Sequence, residues 1–318
     1  MISRALVAGL MLAMLATLSC SAQAERLYLQ VAGAGDVPLN VVTVGNPANP
    51  AIVFLHGIGQ SHASFLRQLD SELGENYYLV SFDLRGHGNS AKPWQAADYA
   101  GSEIWAEDLQ AVLKATVFKE TSVKGVLPQR PVVVAWSYGT LVLADYIRTF
   151  GAADFSGINL VGSFGALVAM TPPSDKALIA RFIALKKLQT SSNVQDNTKA
   201  VDQSVEWLTA SPVDSDSQRL FARAGMMLPG YARVAMSQRR FDNSDLVEKF
   251  DVPVLISRGD QDPSAPKTGA DALVKLLPDA TISTYKNTGH SPFYEQAARF
   301  NRELRQFVEQ TIRVTQKD

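Results

Sequence analysis

A serine, an aspartate and a histidine, which can act together in nucleophilic catalysis, lie far apart in the sequence. Each of them comes soon after a segment that the sequence predicts to be a strand. Ser137 follows the β-branched run VVVAW, and the apolar spacing of LVLADYIRTF predicts a helix after it, so this serine lies in a strand-to-helix turn. Asp262 lies in SRGDQDP and His290 in NTGHSP. Serine becomes a strong nucleophile only when an oriented base removes its proton. The three residues therefore suggest a nucleophile, an acid and a base.

Small residues flank Ser137 at the two positions where a strand-to-helix turn has least room. Ala135 stands two residues before the serine and Gly139 two residues after it. A larger side chain at either position would collide where the strand and the helix approach most closely. Such a pentapeptide alone is a weak signal, and it becomes strong because the acid and base candidates follow it in that order.

Four motifs occur in an order that resembles the α/β-hydrolase family, across nearly all of the chain after the first two dozen residues. They are HGIG at residues 56–59, DLRGHGNS at 83–90, AWSYG at 135–139, and the pair GDQDP and GHSP. These resemble, in turn, the family's oxyanion loop, its strand-four turn, its nucleophile elbow, and its acid and base loops. One departure is Ala135, where the family usually has glycine, and alanine is small enough to keep the geometry of the turn.

The resemblance implies a role for each candidate site residue. Ser137 is the expected nucleophile and His290 the expected base, and family spacing favours Asp262 over Asp260 as the acid. Attack on a carbonyl leaves negative charge on oxygen, which backbone donors can stabilise by about 3 kcal/mol each. By resemblance, the N–H groups of Ile58 and Tyr138 form this oxyanion hole.

The other three histidines have no expected catalytic role. His56 and His87 belong to the HGIG and RGHGNS turns, where a structural hydrogen-bonding role is expected. His62 lies in no motif and is expected to be ordinary surface.

Eight strand-like segments recur along the chain, and helical patterns separate them from the third onward. The strands are expected at residues 26–31, 39–44, 51–55, 78–83, 132–136, 158–164, 253–258 and 281–285. The helices are expected at residues 61–73, 102–118, 138–150, 267–277 and 292–314. This alternation predicts an α/β fold with a mostly parallel eight-stranded sheet and helices on both faces. The first two strands, joined by GAGDVP, are expected to form an antiparallel edge hairpin.

The segment between residues 164 and 251 is far longer than one crossover connection requires. Breaks at SerSer, SerPro and ProGly pairs indicate several short helices. We interpret residues 171–251 as a helical cap inserted into a core domain of residues 25–170 and 252–318. Arg233, Arg239 and Arg240 in this segment could bind a substrate carboxylate, and an exposed helical face would explain them equally well.

Composition limits the partners of the chain. Of its 318 residues 46% are hydrophobic, which is ample for a core, and the net charge is −1. With a pI near 6.4 the chain is not expected to have a broad basic surface, so neither nucleic acid nor an anionic membrane surface is an expected partner. A small-molecule acyl substrate fits this composition better. Neither the Walker lysine nor the dinucleotide fingerprint is present, so no cofactor or metal is expected.

The first 24 residues have the layout of a secretory signal. Arg4 precedes an apolar run at residues 5–18, and Ala22-Gln23-Ala24 provides an A-x-A cleavage site, so the mature chain is expected to begin at Glu25 in the periplasm or outside the cell. The run is shorter than the roughly 20 residues that span a bilayer, so stable membrane insertion is not expected. Lipidation at Cys20 is the minor alternative. Cleavage after Ala24 would remove the only cysteine, excluding thiol catalysis and disulfides.

The resemblance implies a serine hydrolase of carboxylic esters, lactones or similar acyl compounds, acting through an acyl-enzyme. A serine nucleophile argues against epoxide and haloalkane hydrolysis, which would use aspartate. The same constellation also resembles cofactor-free haloperoxidases and perhydrolases, as well as carbon–carbon bond hydrolases. A noncatalytic binder on this fold is a third alternative.

Overall fold

The computed structural model describes residues 25–118, 130–169, 175–239 and 241–315. Within these ranges one sheet of eight strands runs through the molecule. The strands are β1 (Arg26–Ala32), β2 (Pro38–Val44), β3 (Ala51–Leu55), β4 (Tyr78–Phe82), β5 (Val132–Trp136), β6 (Gly157–Val161), β7 (Val254–Gly259) and β8 (Thr281–Tyr285). All eight predicted strands are present, and the sixth is shorter than expected.

The strand order is β1-β2-β4-β3-β5-β6-β7-β8. The first two strands pair antiparallel, as predicted, and β2 also pairs antiparallel with β4, whereas every later neighbouring pair is parallel. Strands β3, β4, β5 and β6 are buried along their whole length. Strands that are covered on both faces are mostly apolar at successive positions, which is why these segments are nearly continuous apolar runs, with Ser81 and Asn159 as polar exceptions.

Twelve α-helices lie within the described ranges. They are α1 (Leu66–Leu69), α2 (Leu73–Asn76), α3 (Ala97–Ala100), α4 (Ser102–Thr116), α5 (Gly139–Phe150), α6 (Lys176–Gln189), α7 (Val194–Val205), α8 (Ser215–Met227), α9 (Gly230–Ser237), α10 (Lys267–Leu276), α11 (Pro292–Glu295) and α12 (Ala297–Thr315). Short 3-10 helices lie at Ala34–Asp36, His62–Phe65 and Ser244–Lys249. None of these helices is both long and apolar enough to cross a membrane.

Two helices that the sequence predicts as continuous are broken. The segment 61–73 forms a 3-10 turn followed by α1, and it ends where the Ser71 hydroxyl donates to the carbonyl of Gln68 and accepts the N–H of Leu73. Serine side chains compete in this way with the hydrogen bonds of a helix. The segment 292–314 is interrupted at Gln296, whose side-chain amide donates to the carbonyl of Lys286. Apolar periodicity alone did not reveal either break.

Helices cover both faces of the sheet and bury two apolar clusters. One face packs against α4 and α5 and contains Trp105, Tyr146 and Phe155. The other contains Phe65 and Phe293 and lies under α1, α11 and α12. Burying aromatic side chains of this size stabilises a fold strongly, since truncating one in a core costs about 3–5 kcal/mol. The two clusters hold the sheet rigid, so the loops at its edge start from fixed positions.

The segment between β6 and β7 contains α6 to α9 and the last 3-10 helix. Asp175, Asn193 and Asp214 cap three of these helices by accepting backbone N–H groups in the first turn. The predicted boundary between residues 170 and 171 lies outside the described residues, as do the first 24 residues. The division into a core and a cap therefore stays a prediction, although the helical character of the segment is as expected.

Candidate active site

The loops that follow four parallel strands carry the residues that the sequence singles out. Ile58 follows β3, Ser137 follows β5, Asp262 follows β7 and His290 follows β8. Because these strands are parallel, their carboxyl ends lie at one edge of the sheet, which is where open α/β sheets bind ligands. The topology thus brings together residues that are far apart in the chain.

Ser137 lies in a strained turn between β5 and α5. Its φ is +52°, in the left-handed region, which costs a non-glycine residue about 1–3 kcal/mol. Its N–H donates to the carbonyl of Val161 at 3.0 Å and ties the turn to β6. A Cβ at Gly139 would stand 2.5 Å from the carbonyl oxygen of Leu55, so the approach of α5 to β3 requires glycine there. This is the crowding that the spacing of small residues indicated.

His290 and Asp262 are joined by a hydrogen bond, with Nδ1 of the histidine 2.8 Å from Oδ2 of the aspartate. The other carboxylate oxygen accepts the N–H of Ser264 at 2.8 Å, so both oxygens are held. Asp262 is buried, whereas Asp260 is exposed and accepts the N–H of Thr288 at 3.3 Å. The histidine therefore contacts the acid that the family spacing favours, and its Nε2 is left for another partner.

Further contacts hold the loop of His290. The indole N–H of Trp136 donates to the His290 carbonyl at 2.9 Å. The Glu295 carboxylate accepts the N–H of Gly289 at 2.7 Å and the N–H of Ala210 at 2.8 Å. Burial raises the pKa of Glu295, although these N–H groups act against the rise. Glu295 thus joins the histidine loop to the segment between β6 and β7, a role the sequence did not indicate.

Two backbone N–H groups border the same space as Ser137. Ile58 and Tyr138 both line the cavity that contains the serine, and Tyr138 is the N-terminal cap of α5. The positive end of the helix dipole therefore lies at the Tyr138 N–H. In the part of the chain that the structure describes, neither N–H donates to a protein carbonyl. The two N–H groups thus stay the candidates for the predicted oxyanion hole.

The Tyr138 side chain is held by a buried charged network that the sequence did not predict. Arg239 donates to the Tyr138 hydroxyl at 2.5 Å and forms an ion pair with Asp145, and it lies over the ring of Trp105 with its guanidinium carbon 4.8 Å from the centroid. Burial raises the pKa of Asp145 to about 6 against the opposing charge of Arg239. An aspartate on the apolar face of α5 was the available signal, because buried carboxylates need a partner.

The turn at residues 83–90 is hydrogen-bonded to the segment that follows β3, and His62 is not ordinary surface, contrary to the expectation. Its Nδ1 lies 2.8 Å from Oδ1 of Asp83, which also accepts its N–H. Burial alone would raise the pKa of Asp83, but the hydrogen bond and charge of His62, with lesser contributions from His56 and the Asn89 N–H, hold it at about 2.

His56 and His87 have structural hydrogen bonds, in line with the expectation. Nδ1 of His56 donates to the Gly57 carbonyl at 2.8 Å while its Nε2 accepts the N–H of Leu84 at 3.0 Å, a pattern that requires the neutral ring. Burial lowers the pKa of His56 to about 4. Nδ1 of His87 contacts the Arg85 carbonyl at 3.0 Å.

Two cavities meet at Ser137. The larger, of about 460 Å³, is lined by Ser137 and His290 together with Phe182, Leu185, Trp207, Arg233, Met236 and other residues of the segment between β6 and β7. The smaller, of about 360 Å³, is mostly apolar and is lined by residues that include Leu141, Phe164 and Val168. Among residues 25–118, 130–169, 175–239 and 241–315, no three His, Cys, Asp or Glu side chains are grouped as metal ligands would be.

Several known proteins are similar to this chain in sequence or in structure. The chain is similar to the AB hydrolase superfamily protein YisY of Bacillus subtilis (strain 168), at 23% identity over 80% of this chain and 90% of that protein. It is also similar to non-heme chloroperoxidase CPO-A1 of Kitasatospora aureofaciens, at 22% identity over 81% of this chain and 91% of that protein. Esterase RhEst1 from Rhodococcus sp. ECU1013 has a similar structure, with a TM-score of 0.75 and 25% identity, covering 89% of this chain and 98% of that chain.

A model of the alpha/beta hydrolase family matches residues 52–303, from the strand before the oxyanion loop to the C-terminal helix. This span includes all four motifs and the loops that carry Ser137, Asp262 and His290. With a matching sheet of eight strands and well over half of the sequence covered, the chain belongs to the alpha/beta hydrolase family.

Proposed function

We propose that this protein is an exported serine hydrolase that cleaves carboxylic esters, lactones or related acyl compounds through an acyl-enzyme. The observation that carries the proposal is the hydrogen bond of 2.8 Å between Asp262 and His290. His290 lines the same cavity as Ser137, whose backbone is strained. This is the arrangement in which an acid orients an imidazole and the imidazole serves a nucleophile. The structural similarity to the esterase RhEst1 and the family membership support the same reaction class.

In the first half of the proposed reaction, Nε2 of His290 takes the proton of the Ser137 hydroxyl as Oγ attacks the carbonyl carbon of the substrate. The electron pair of the carbonyl double bond moves to its oxygen. The N–H groups of Ile58 and Tyr138 donate to this oxyanion, and each such donor contributes about 3 kcal/mol in comparable sites. Asp262 stays ionised, keeps Nδ1 protonated and stabilises the imidazolium.

In the second half, the imidazolium of His290 protonates the leaving alcohol as the bond between the carbonyl carbon and the alcohol oxygen breaks. Ser137 then carries the acyl group. Water, deprotonated by the same Nε2, attacks this ester, and the collapse of the second oxyanion releases the acid and restores the serine hydroxyl. The two cavities that Ser137 lines offer space for the acyl and the alcohol parts.

A perhydrolase activity is the second candidate, because one relative is named a non-heme chloroperoxidase. In this reaction hydrogen peroxide replaces water in attack on the acyl-enzyme and releases a peracid, which then oxidises a halide ion to hypohalous acid. The protein does not itself change oxidation state. Halogenation of this kind consumes peroxide and requires a carboxylic acid or ester that can acylate Ser137.

A comparison of ester cleavage with halogenation tests the proposed function. We expect p-nitrophenyl esters to be hydrolysed without peroxide, because the proposed site supplies its own base and oxyanion donors. We expect bromination of monochlorodimedone by peroxide and bromide to occur only when acetate or another carboxylic acid is added. Bromination at full rate without a carboxylic acid, or a folded protein that cleaves no ester, would refute the hydrolase assignment.

Export is the remaining part of the proposal. We expect removal of residues 1–24, so that the protein secreted by an expressing cell has the intact mass of a chain that begins at Glu25. Mass spectrometry of the mature protein measures this directly. A mass that includes the leader, or a lipid-modified start at Cys20, would contradict cleavage after Ala24.

A further inference from the structure

Arg233 on α9 is a buried cation, and no acidic side chain in the described part of the chain pairs with it. Only 7% of its surface is exposed. The buried arginines Arg85 and Arg239 each form an ion pair with an aspartate, as is usual for charges that leave water. Arg233 forms no ion pair with any residue in the described ranges. The one hydrogen bond that its side chain makes there is from Nη2 to the carbonyl of Gly225 at 3.0 Å.

The charges around Arg233 leave its positive charge uncompensated. Burial lowers its pKa, and no acidic group among the described residues acts against this change. His87, a titratable group close enough to interact with it, is kept neutral because burial above all holds its pKa well below the usual value. Arginine nevertheless stays protonated at neutral pH. The guanidinium therefore keeps its full charge and has four N–H donors beyond the bond to Gly225.

Arg233 faces the space in which the proposed reaction occurs. It lines the larger cavity together with Ser137 and His290, on a wall that also contains Trp207 and Met236. Among the described residues that line this cavity there is no aspartate or glutamate, and exposed Lys186 adds a second positive charge. The wall of the cavity is thus largely apolar and carries positive charge, and none of the described residues that line it has a negative charge.

We propose that Arg233 binds a carboxylate group of the substrate, so that the preferred substrates are acyl esters that carry a free carboxylate away from the scissile bond. The planar guanidinium matches the two oxygens of a carboxylate. The apolar wall would hold the carbon chain between the two groups. This inference rests on the proposed hydrolase function and adds the class of its substrate.

Two esters that differ only in charge test the proposal. The p-nitrophenyl monoester of adipic acid carries a terminal carboxylate, and the matching ester of adipamic acid carries a neutral amide of the same length. At pH 8 we expect kcat/KM of the wild type to be higher for the charged ester. Arg233→Met should lower the ratio of the two kcat/KM values by about 10- to 100-fold, since a charge-assisted hydrogen bond is lost. Arg233→Lys should retain part of the ratio because it keeps the charge.

Arg219→Met is the matched control, because Arg219 is an exposed arginine of α8 that pairs with Asp216 outside the cavity. We expect this variant to show the ratio of the wild type. If Arg233 only supports α8 through Gly225, Arg233→Met would lower kcat/KM equally for both esters and leave the ratio unchanged, which overturns the proposal. A wild type that prefers the neutral ester overturns it as well.

A binding measurement separates failure of this inference from failure of the proposed function. Calorimetry compares adipate with adipamide in the wild type and in Arg233→Met, and it requires no turnover. We expect adipate to bind more tightly to the wild type and to lose this advantage in the variant. If neither ester is cleaved and Ser137 is not labelled by a fluorophosphonate, the hydrolase assignment fails, and adipate binding still decides the role of Arg233. Equal binding of the two molecules to the wild type refutes that role.

Discussion

Replacing Ser137 with alanine is expected to abolish labelling by a fluorophosphonate and to lower ester turnover by about 10⁵- to 10⁶-fold. The reason is that Oγ is the only protein atom that bonds to the acyl carbon in the proposed mechanism. Alanine occupies the same backbone turn without the hydroxyl, so the fold should be preserved. Intact-mass measurement of labelled protein and initial rates with a p-nitrophenyl ester check the two effects.

Ser163→Ala provides the control for this result. Ser163 lines the smaller cavity beside Ser137, and its hydroxyl accepts a hydrogen bond from Thr140 at 3.1 Å. We expect this variant to be labelled once, at Ser137. Labelling that persists in Ser137→Ala, or that is lost in Ser163→Ala while the protein stays folded, would assign the nucleophile to another residue.

The second large effect is expected at His290 and its acid. His290→Ala should lower turnover by at least about 10⁴-fold, because no other group would take the proton of Ser137. Asp262→Asn should lower it by about 10⁴-fold, because the amide donates to Nδ1 and thereby favours the wrong tautomer of the imidazole. Initial rates with the same ester, together with unfolding midpoints, separate catalytic loss from loss of stability.

Asp260→Asn is the matched control for the acid. It makes the same chemical change two residues away, at an exposed side chain that accepts the N–H of Thr288. We expect a loss of less than tenfold. A larger loss in this variant than in Asp262→Asn would show that the hydrogen bond of 2.8 Å to His290 is not the one that orients the base.

Most of the sheet could be predicted from the sequence because of how its strands are buried. Strands β3 and β5 are apolar at every position, and both match their predicted bounds. The predicted end of β6 lies too far along the chain. The reason is that apolar residues continue after Val161 into a turn where Gly162 and Gly165 take positive φ. Apolar side chains mark burial, and they do not mark where the ladder of hydrogen bonds stops.

The turn at Ser137 could also be anticipated, because small residues stand on both sides of it in the chain. At Gly139 the structure contains the expected close approach, since a Cβ there would stand 2.5 Å from the carbonyl oxygen of Leu55 on β3. The preference for Asp262 over Asp260 came from spacing within one loop. The sequence alone thus determined which fold the chain adopts and which residues are candidates for the site.

Only the tertiary structure decided how the charged residues of the segment between β6 and β7 are used. The sequence left an exposed helical face as an equal explanation for Arg233 and Arg239, yet both are buried. Arg239 forms an ion pair with Asp145, which lies 94 residues earlier in the chain. Arg233 forms no ion pair with an acid among the described residues. A helical pattern shows which side of a helix is apolar, but the partner of a charge depends on how distant elements pack. The uncompensated positive charge in the cavity is therefore a property of the folded chain, because packing buries Arg233 in the wall where no described residue supplies a carboxylate.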